Sequence, residues 1–266
     1  MTPYFIAEIG SNHNGDLKRA MALVEAASDC SFWGVKFQLF RVKTLFAPQA
    51  LKKHSELLER RRYEAPPSWL PILTKQAHTL GMKFGVTPCS LRAVSIAKPH
   101  VDFFKIGSYE AEWRQLVRAC EKTGKKLFMS LGLCDNDVYK LDHWIPTSPD
   151  LTLMHCASFY PATPAYCNLG NIQKLRSLGH PVGWSDHTCN SEVVKRAVLH
   201  WGAEVVEMHL DLVDCEGSET THSWLPGAAK SVIEICSMDY GDHINRKEMR
   251  WRRDPSDGLR PLKRYR

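Results

Sequence analysis

The chain has 266 residues, a formal net charge of +6 and a hydrophobic content of 44%, which is ordinary for a globular protein. No apolar run reaches the ~18–20 residues that span a bilayer, and no basic region followed by a long apolar core opens the chain, so we expect neither a membrane span nor a secretory signal. The nine cysteines are scattered without a Cys-x-x-Cys pair, which excludes zinc-finger spacing and favours reduced thiols in a cytoplasmic protein.

Eight short apolar runs with strand character alternate with amphipathic helices along the chain. They cover residues 4–9, 35–39, 82–87, 102–106, 126–131, 151–156, 181–185 and 204–210. A glycine often separates a helix from the next strand, as at Gly81, Gly124 and Gly202, because glycine takes the left-handed position after a helix at little cost. This order indicates an α/β protein, and eight such units in this length predict a (β/α)8 TIM barrel. An open doubly wound sheet is the alternative, but no G-x-G-x-x-G follows the first strand.

The domain prediction is one catalytic barrel over residues 1–240 and a basic C-terminal tail over residues 241–266, with no separate second domain. The tail holds much of the positive charge but lacks a recognised nucleic-acid motif, so we expect no nucleic-acid binding. Residues 41–67 form a long insertion after the second strand. We interpret it as an extended loop with a helix that shapes the active site.

Two lysines, Lys36 and Lys105, lie inside strand-like apolar runs. A buried ammonium group is costly unless an anionic group pairs with it. The simpler interpretation is that each lysine pairs with a nearby aspartate or glutamate. Two such lysines, with polar residues at other strand ends, favour one shared anionic substrate.

Polar residues stand near the carboxyl end of almost every predicted strand, which is the end that forms the active site in such a barrel. In chain order they are Glu8, Ser11, Asn12, His13, Lys36, Gln38, Thr87, Lys105, Ser108, Glu110, Ser130, His155, Ser158, Tyr160, Ser185, Asp186, His187, Thr188, Glu207 and His209. Any one of them could be a core residue or a helix cap, as Asp186 and Thr188 could be for the next helix. Their convergence predicts a ligand site.

His187 and His209 follow adjacent strands and could share one divalent metal ion. Imidazole suits Zn²⁺ and other transition metals, and nearby oxygen ligands would allow Mn²⁺ or Mg²⁺. Lysines with serine and threonine hydroxyls suit a phosphate and a carboxylate. Glu8 and Glu110 are candidates for acid–base or hydroxyl-binding roles.

The same residues form a series of motifs. They read Ile6-Ala7-Glu8-Ile9-Gly10, Asn12-His13-Asn14-Gly15, Val35-Lys36-Phe37-Gln38, Phe104-Lys105-Ile106-Gly107-Ser108, His155-Cys156, Tyr160-Pro161, Gly183-Trp184-Ser185-Asp186-His187-Thr188 and Asp254-Pro255-Ser256-Asp257-Gly258-Leu259-Arg260-Pro261. In this order, over essentially the whole chain, they resemble the phosphoenolpyruvate-dependent sialic acid (N-acetylneuraminate) synthases.

The resemblance implies a barrel that condenses phosphoenolpyruvate with an N-acetylmannosamine-like amino-sugar aldehyde and releases phosphate. It implies that phosphoenolpyruvate is held by Lys36, Thr87, Lys105, Ser108, Ser130, Ser158 and Ser185. It further implies Mn²⁺ or Mg²⁺ on His187 and His209, and a sugar facing Gln38, Glu110 and Tyr160. In the implied reaction, C3 of phosphoenolpyruvate attacks the metal-polarised aldehyde, and water adds at C2 with Glu8 as the base. The lysines would stabilise charge throughout.

The chain departs from the family pattern on the acceptor side. Leu131-Gly132-Leu133 stands where Thr-Gly-Met is usual, Tyr109 where glycine is usual, and Glu219 where an aspartate is usual. By this correspondence we expect Glu219 to contact substrate. The usual small C-terminal domain is not expected either. Two alternatives therefore stay open: a phosphoenolpyruvate-binding barrel that needs a partner domain, or an aldolase that forms a Schiff base on Lys36 or Lys105. Association as a homodimer is also left open.

Overall fold

The computed structural model describes residues 2–132, 145–146, 148–245 and 254–257. Leu133 and most of the predicted basic tail lie outside these residues. The strands are β1 Tyr4–Gly10, β2 Gly34–Leu39, β3 Lys83–Pro88, β4 Phe103–Ile106, β5 Lys126–Ser130, β6 Leu151–Cys156, β7 Val182–Asp186 and β8 Val205–His209. All eight predicted strands are confirmed, because their predicted and observed ends differ by no more than one residue.

Helices connect the strands on the outside of the barrel. They are α1 Leu17–Asp29, α2 Val42–Leu45, α3 Pro48–Lys53, α4 Leu70–Thr79, α5 Leu91–Ala97, α6 Arg114–Glu121, α7 Asn171–Arg176, α8 Ser191–Leu199 and α9 Pro226–Asn245, with short 3₁₀ turns at Ser55–Tyr63, Pro67–Trp69, Pro164–Tyr166, Thr220–His222 and Pro255–Asp257. Asp16 caps α1 by accepting a hydrogen bond from the Lys18 backbone N–H at 2.8 Å. Within the described ranges, no helix is both long and apolar enough to cross a membrane. Helix α9 runs through the predicted domain boundary at residue 240, and the division of the chain there stays a prediction.

The sheet is a closed barrel in which every strand is parallel to its neighbours and β1 pairs with β8. This confirms the predicted (β/α)8 TIM barrel. The strand register places Glu8 opposite Lys36 on one side and opposite His209 on the other. Three ionisable residues, Glu8, Lys36 and His209, therefore lie side by side at one level of the barrel.

The inward face of the strands changes from apolar to polar along the barrel axis. Near the strand starts, an inner cluster of Ile6, Phe103, Phe128, Met154 and Val205 is almost fully buried. The Phe103 and Phe128 rings meet edge to face with centroids 5.4 Å apart. Side chains alternate sides along a strand, so residues two positions further along each strand face inward again. There the chain carries Glu8, Lys105, Ser130 and Glu207 above the apolar layer.

Inward-facing glycines make room for the large members of this apolar layer. A Cβ on Gly85 would overlap the ring of Phe103, and one on Gly183 would lie 3.2 Å from Cγ of Met154. Large and small residues therefore alternate around the barrel and fill its interior. The filled layer closes the amino end and leaves the polar layer at the carboxyl end open to a ligand.

Gly85→Ala is expected to destabilise the protein by about 1–3 kcal/mol, the usual cost of overpacking a core. Gly227→Ala is the matched control, since no heavy atom lies within 4 Å of a Cβ added there. The measurement is the midpoint of urea-induced unfolding for both variants and the wild type. Equal midpoints for Gly85→Ala and Gly227→Ala would contradict the packing described for the apolar layer.

Candidate functional site

A cavity of about 930 Å³ opens above the polar layer at the carboxyl end of the barrel. The structure brings almost all of the predicted site residues to it. They are Glu8, Lys36, Gln38, Thr87, Lys105, Ser108, Glu110, Ser130, Tyr160, Ser185, His187, His209 and Glu219. Ser158 does not line the cavity, but its hydroxyl lies 3.7 Å from Sγ of Cys156, which does. Five other polar residues from the predicted strand ends also do not line it: Asn12, His13, His155, Asp186 and Thr188.

Four buried charged residues form what we call the charge quartet: Glu8, Lys36, Lys105 and Glu207. Lys36 is ion-paired with Glu8, and its Nζ lies 3.6 Å from Oε2 of Glu207. Lys105 Nζ lies 3.5 Å from the same oxygen. Lys36 also donates a hydrogen bond of 2.8 Å to Oγ1 of Thr87. The lysines thus pair with glutamates, as the simpler sequence interpretation held, but they share one of them and both face the cavity.

Burial and mutual attraction determine the protonation of the quartet. Burial lowers the pKa of Lys36 to about 8, although Glu207 opposes this effect. Burial by itself would raise the pKa of Glu207, but Lys105 and Lys36 lower it to about 2. Glu207 is therefore an anion near neutral pH and anchors both lysines. Sequence reasoning placed Glu207 among the polar strand ends without a role; its position two residues before His209, on the same strand face, was the available signal.

Several buried polar atoms at the cavity have no hydrogen-bond partner among the described residues. They are Oε1 of Glu8, Oγ of Ser11 and Oγ of Ser130. Oε2 of Glu207 also lacks a hydrogen bond, but it is ion-paired with both lysines. Buried polar groups in native proteins are nearly always hydrogen-bonded, so such a cluster needs an explanation. A polar ligand in the cavity would supply the partners.

The ring orientations of His187 and His209 are set by their Nδ1 atoms. Nδ1 of His187 lies 2.8 Å from the Ala157 carbonyl oxygen, which can only accept, so this nitrogen carries the proton. Nδ1 of His209 lies 2.9 Å from Oε2 of Glu219. Burial by itself would raise the pKa of Glu219, but the hydrogen bond with His209 lowers it to about 2. Both histidines therefore keep the Nε2 lone pair available, as in metal-binding histidines whose other nitrogen is bonded.

A third histidine completes this cluster. The ring centroids of His222 and His209 are 4.7 Å apart, and those of His187 and His209 are 5.4 Å apart. Burial lowers the pKa of His187 to about 3 and that of His222 to about 4, so both are neutral and able to act as ligands near pH 7.

The donor atoms of this cluster fit a metal ion. Ligand atoms of His209, Glu219 and His222 all lie within 4.8 Å of one another. Imidazole nitrogens with one carboxylate suit a divalent transition metal. The sequence predicted His187 and His209 as metal ligands, and the structure adds His222 to them. Glu219, which was predicted to contact substrate, accepts a hydrogen bond from His209. His222 lies in a 3₁₀ turn within a loop, where no strand pattern could have marked it.

The outer part of the cavity is built by the long insertion and by aromatic side chains. Phe46, Arg60 and Tyr63, all within the insertion at 41–67, line it together with Gln38 and Glu110. The insertion therefore shapes the site, as its length predicted. Burial raises the pKa of Glu110.

Two further tyrosines line the cavity, Tyr109 and Tyr160. Tyr109 is 72% exposed. The ring centroids of Tyr160 and His187 are 4.3 Å apart. Tyr160 therefore connects the outer aromatic part of the cavity with the histidine cluster.

Asp186 supports the site from behind. It accepts hydrogen bonds from the indole N–H groups of Trp184 and Trp224, at 3.0 and 2.9 Å, and from the Thr188 hydroxyl at 2.7 Å. Asn190, not Asp186, caps α8, because its side chain accepts hydrogen bonds from the backbone N–H groups of Glu192 and Val193. The helix-cap alternative for Asp186 is wrong; this buried carboxylate instead holds the turn that carries His187.

Known proteins share both the sequence pattern and the fold. The chain is 33% identical to the N,N'-diacetyllegionaminic acid synthase of Legionella pneumophila over 88% of this chain and 71% of that protein. It is 29% identical to the human N-acetylneuraminate-9-phosphate synthase over 86% of this chain and 68% of that protein. The crystal structure of the N-acetylneuraminic acid (sialic acid) synthetase from Leptospira borgpetersenii in complex with citrate has the same fold, with a TM-score of 0.82 and 24% identity over 95% of this chain and 88% of that one.

The family assignment rests on most of the chain. Residues 23–238 match the NeuB family, a range that includes β2 through β8 and nearly all the residues that line the cavity. The resemblance to sialic acid synthases seen in the motifs is thereby confirmed. The chain belongs to the NeuB family of sialic acid synthase-like enzymes.

Proposed function

We propose that this protein condenses phosphoenolpyruvate with an N-acetylmannosamine-like amino-sugar aldehyde, with the help of a divalent metal ion, to give a sialic-type 2-keto acid and phosphate. The observation that carries the proposal is the joint presence of the charge quartet and the histidine cluster in one cavity. The named activities of the relatives, which are synthases of legionaminic and sialic acids, support the same class of reaction.

The donor would bind above the charge quartet. Phosphoenolpyruvate offers a phosphate and a carboxylate, and Lys36 and Lys105 are the buried cations that match them. The Ser130 hydroxyl, which has no partner among the described residues, is a ready donor to such an anion. Thr87, Ser108 and Ser185 stand beside it in the same cavity.

The charge of the cavity makes the metal ion important for donor binding. Its charged lining residues in the described part of the chain are Glu8, Lys36, Arg60, Lys105, Glu110, Glu207 and Glu219. Three are basic and four are acidic, so with all of them ionised the cavity has a net charge of −1. An anion with about three negative charges would meet no net attraction there. A divalent cation on the histidine cluster would reverse the sign of the cavity.

The residues that would hold this ion are His187, His209, Glu219 and His222. When bound, a divalent ion would supply Lewis-acid polarisation of the aldehyde oxygen. The family resemblance points to Mn²⁺ or Mg²⁺.

The remaining chemistry is assigned to the protein's own groups. Glu8 lines the cavity, and its Oε1 has no hydrogen-bond partner among the described residues, so Glu8 can accept the proton of the water that adds at C2. Lys36 and Lys105 would stabilise negative charge on phosphate and carboxylate until phosphate leaves. Gln38, Glu110 and Tyr160 lie toward the outer part of the cavity, where the amino sugar would bind.

One alternative keeps the donor site but not the turnover. Activity would then require a partner domain, and phosphoenolpyruvate would bind without reaction. A Schiff-base aldolase is less well supported, because both lysines are engaged with Glu207 and a Schiff base needs a free amine. Dimer formation and a cytoplasmic location stay predictions.

Phosphate release is expected only when phosphoenolpyruvate, Mn²⁺ and a suitable aldose are all present. The measurement is a colorimetric phosphate assay over a panel of amino-sugar aldoses that includes N-acetylmannosamine, with each component omitted in turn. Release that does not depend on the aldose would contradict the condensation. Binding of phosphoenolpyruvate with no release across the panel would favour the partner-domain alternative, and substrate trapped on a lysine by borohydride without metal would favour the aldolase.

Lys105→Met is expected to weaken phosphoenolpyruvate binding by about 10- to 100-fold, the typical loss of a charge-assisted hydrogen bond. The matched control is Lys126→Met, since Lys126 begins β5 at the opposite end of the barrel and its Nζ lies over the ring of Tyr4. Isothermal titration calorimetry in the presence of Mn²⁺ gives both affinities. An unchanged affinity of Lys105→Met for phosphoenolpyruvate would contradict the assignment of the donor site.

A further inference from the structure

The loop that follows β8 brings Glu219 and His222 to the site although it has little apolar packing of its own. Most of residues 213–218 are exposed, and Val213 is 79% exposed. The position of this segment, which we call the β8 loop (residues 210–223), must therefore come from polar contacts. Those contacts lead to the β1 loop (residues 11–16), nearly two hundred positions away in the sequence.

Asn12 is the centre of these contacts. Its Nδ2 donates to the Leu210 carbonyl oxygen at 2.8 Å and to the Ser223 hydroxyl at 2.9 Å, which are the two ends of the β8 loop. Its Oδ1 accepts from the Glu219 backbone N–H at 2.7 Å. The side chain is fully buried. Each of these bonds therefore forms away from water, and losing one leaves a buried group without a partner.

Neighbouring residues leave Asn12 little freedom to move. Arg19 Nε donates to the Asn12 carbonyl oxygen at 2.7 Å, while Nη2 of Arg19 is ion-paired with Asp211 at 2.7 Å. A Cβ on Gly217 would come within 2.5 Å of both Oδ1 of Asn12 and Oδ2 of Asp211. The β8 loop is thus packed directly onto the two side chains that hold it.

The contacts of Asn12 continue to the histidine cluster through Glu219. The backbone N–H of Glu219 is fixed by Asn12, and the carboxylate of the same residue accepts the hydrogen bond from Nδ1 of His209. Gly10, with φ +53°, leaves the space that this carboxylate occupies, since a Cβ there would overlap it. A shift of the β8 loop would therefore move Glu219 relative to the ring of His209.

We infer that Asn12 is a positioning residue for metal binding, which acts through Glu219 on His209. The inference rests on the proposed function, because it takes the histidine cluster to be a metal site. Residues that orient a metal-binding histidine typically change metal affinity by about 10- to 100-fold when they are altered. Asn12 would have such an effect through two successive hydrogen bonds, from Asn12 to Glu219 and from Glu219 to His209, without touching the ion.

The test is Co²⁺ binding to the full chain, followed by visible absorption, which reports both affinity and ligand geometry. Asn12→Ala is expected to weaken Co²⁺ binding by about 10-fold or more and to change the absorption spectrum. The control is Asn14→Gly. Asn14 lies in the same β1 loop with φ +52°, a conformation that glycine accepts, and its exposed side chain donates a hydrogen bond to the Glu216 carbonyl oxygen in the exposed part of the β8 loop. This variant is expected to bind Co²⁺ as the wild type does.

A double-mutant cycle with Glu219→Gln separates positioning from general damage. If Asn12 acts through Glu219, Asn12→Ala weakens Co²⁺ binding much less in the Glu219→Gln background than in the wild type. Equal effects in both backgrounds, or wild-type affinity and spectrum in Asn12→Ala, would overturn the inference. If Asn12→Ala does not fold, Asn12→Leu, which fills a similar volume but lacks both the Nδ2 donor and the Oδ1 acceptor, replaces it in the same cycle with the same criteria. Failure of the wild type to bind Co²⁺ would instead remove the proposed metal site, and the inference with it.

Discussion

The sharing of Glu207 between Lys36 and Lys105 is the interaction on which the rest of the site depends. Four charged groups inside a barrel are tolerated only when they are paired, because their desolvation is expensive. The strand register supplies one pair by placing Glu8 opposite Lys36, and Glu207 on β8 pairs with Lys36 and Lys105, which lie on strands that are not its neighbours. The resulting quartet has no net charge, so it holds two ammonium groups at the cavity without attracting an anion strongly by itself.

The same alternation of strand side chains produces both the stable core and the reactive layer. Phe103 lies in the apolar layer, and Lys105, two residues later, belongs to the quartet. Val205, Glu207 and His209 likewise pass from core to quartet to histidine cluster along a single strand. Stability at the amino end and chemistry at the carboxyl end are therefore two levels of one inward-facing pattern, which is typical of this fold.

Sequence patterns predicted the strands well because each of them is a local signal. They also pointed to Lys36, Lys105, His187 and His209, since ionisable residues at strand ends are conspicuous. They could not predict that Glu219 would bond to His209 or that His222 would join the cluster. Both residues lie in an irregular loop whose position depends on Asn12, which is about two hundred positions earlier in the chain. Contacts of that kind leave no periodicity in the sequence.

The central claim is that the cavity binds its anionic donor much more tightly once a divalent ion has reversed the sign of its charge. The most direct measurement is a calorimetric titration of phosphoenolpyruvate into the wild-type protein, once with Mn²⁺ and once with a chelator at the same pH and salt concentration. We expect Mn²⁺ to strengthen phosphoenolpyruvate binding by roughly 5- to 150-fold, and phosphoenolpyruvate to strengthen Mn²⁺ binding by the same factor. The same phosphoenolpyruvate affinity with Mn²⁺ and with the chelator would contradict this account.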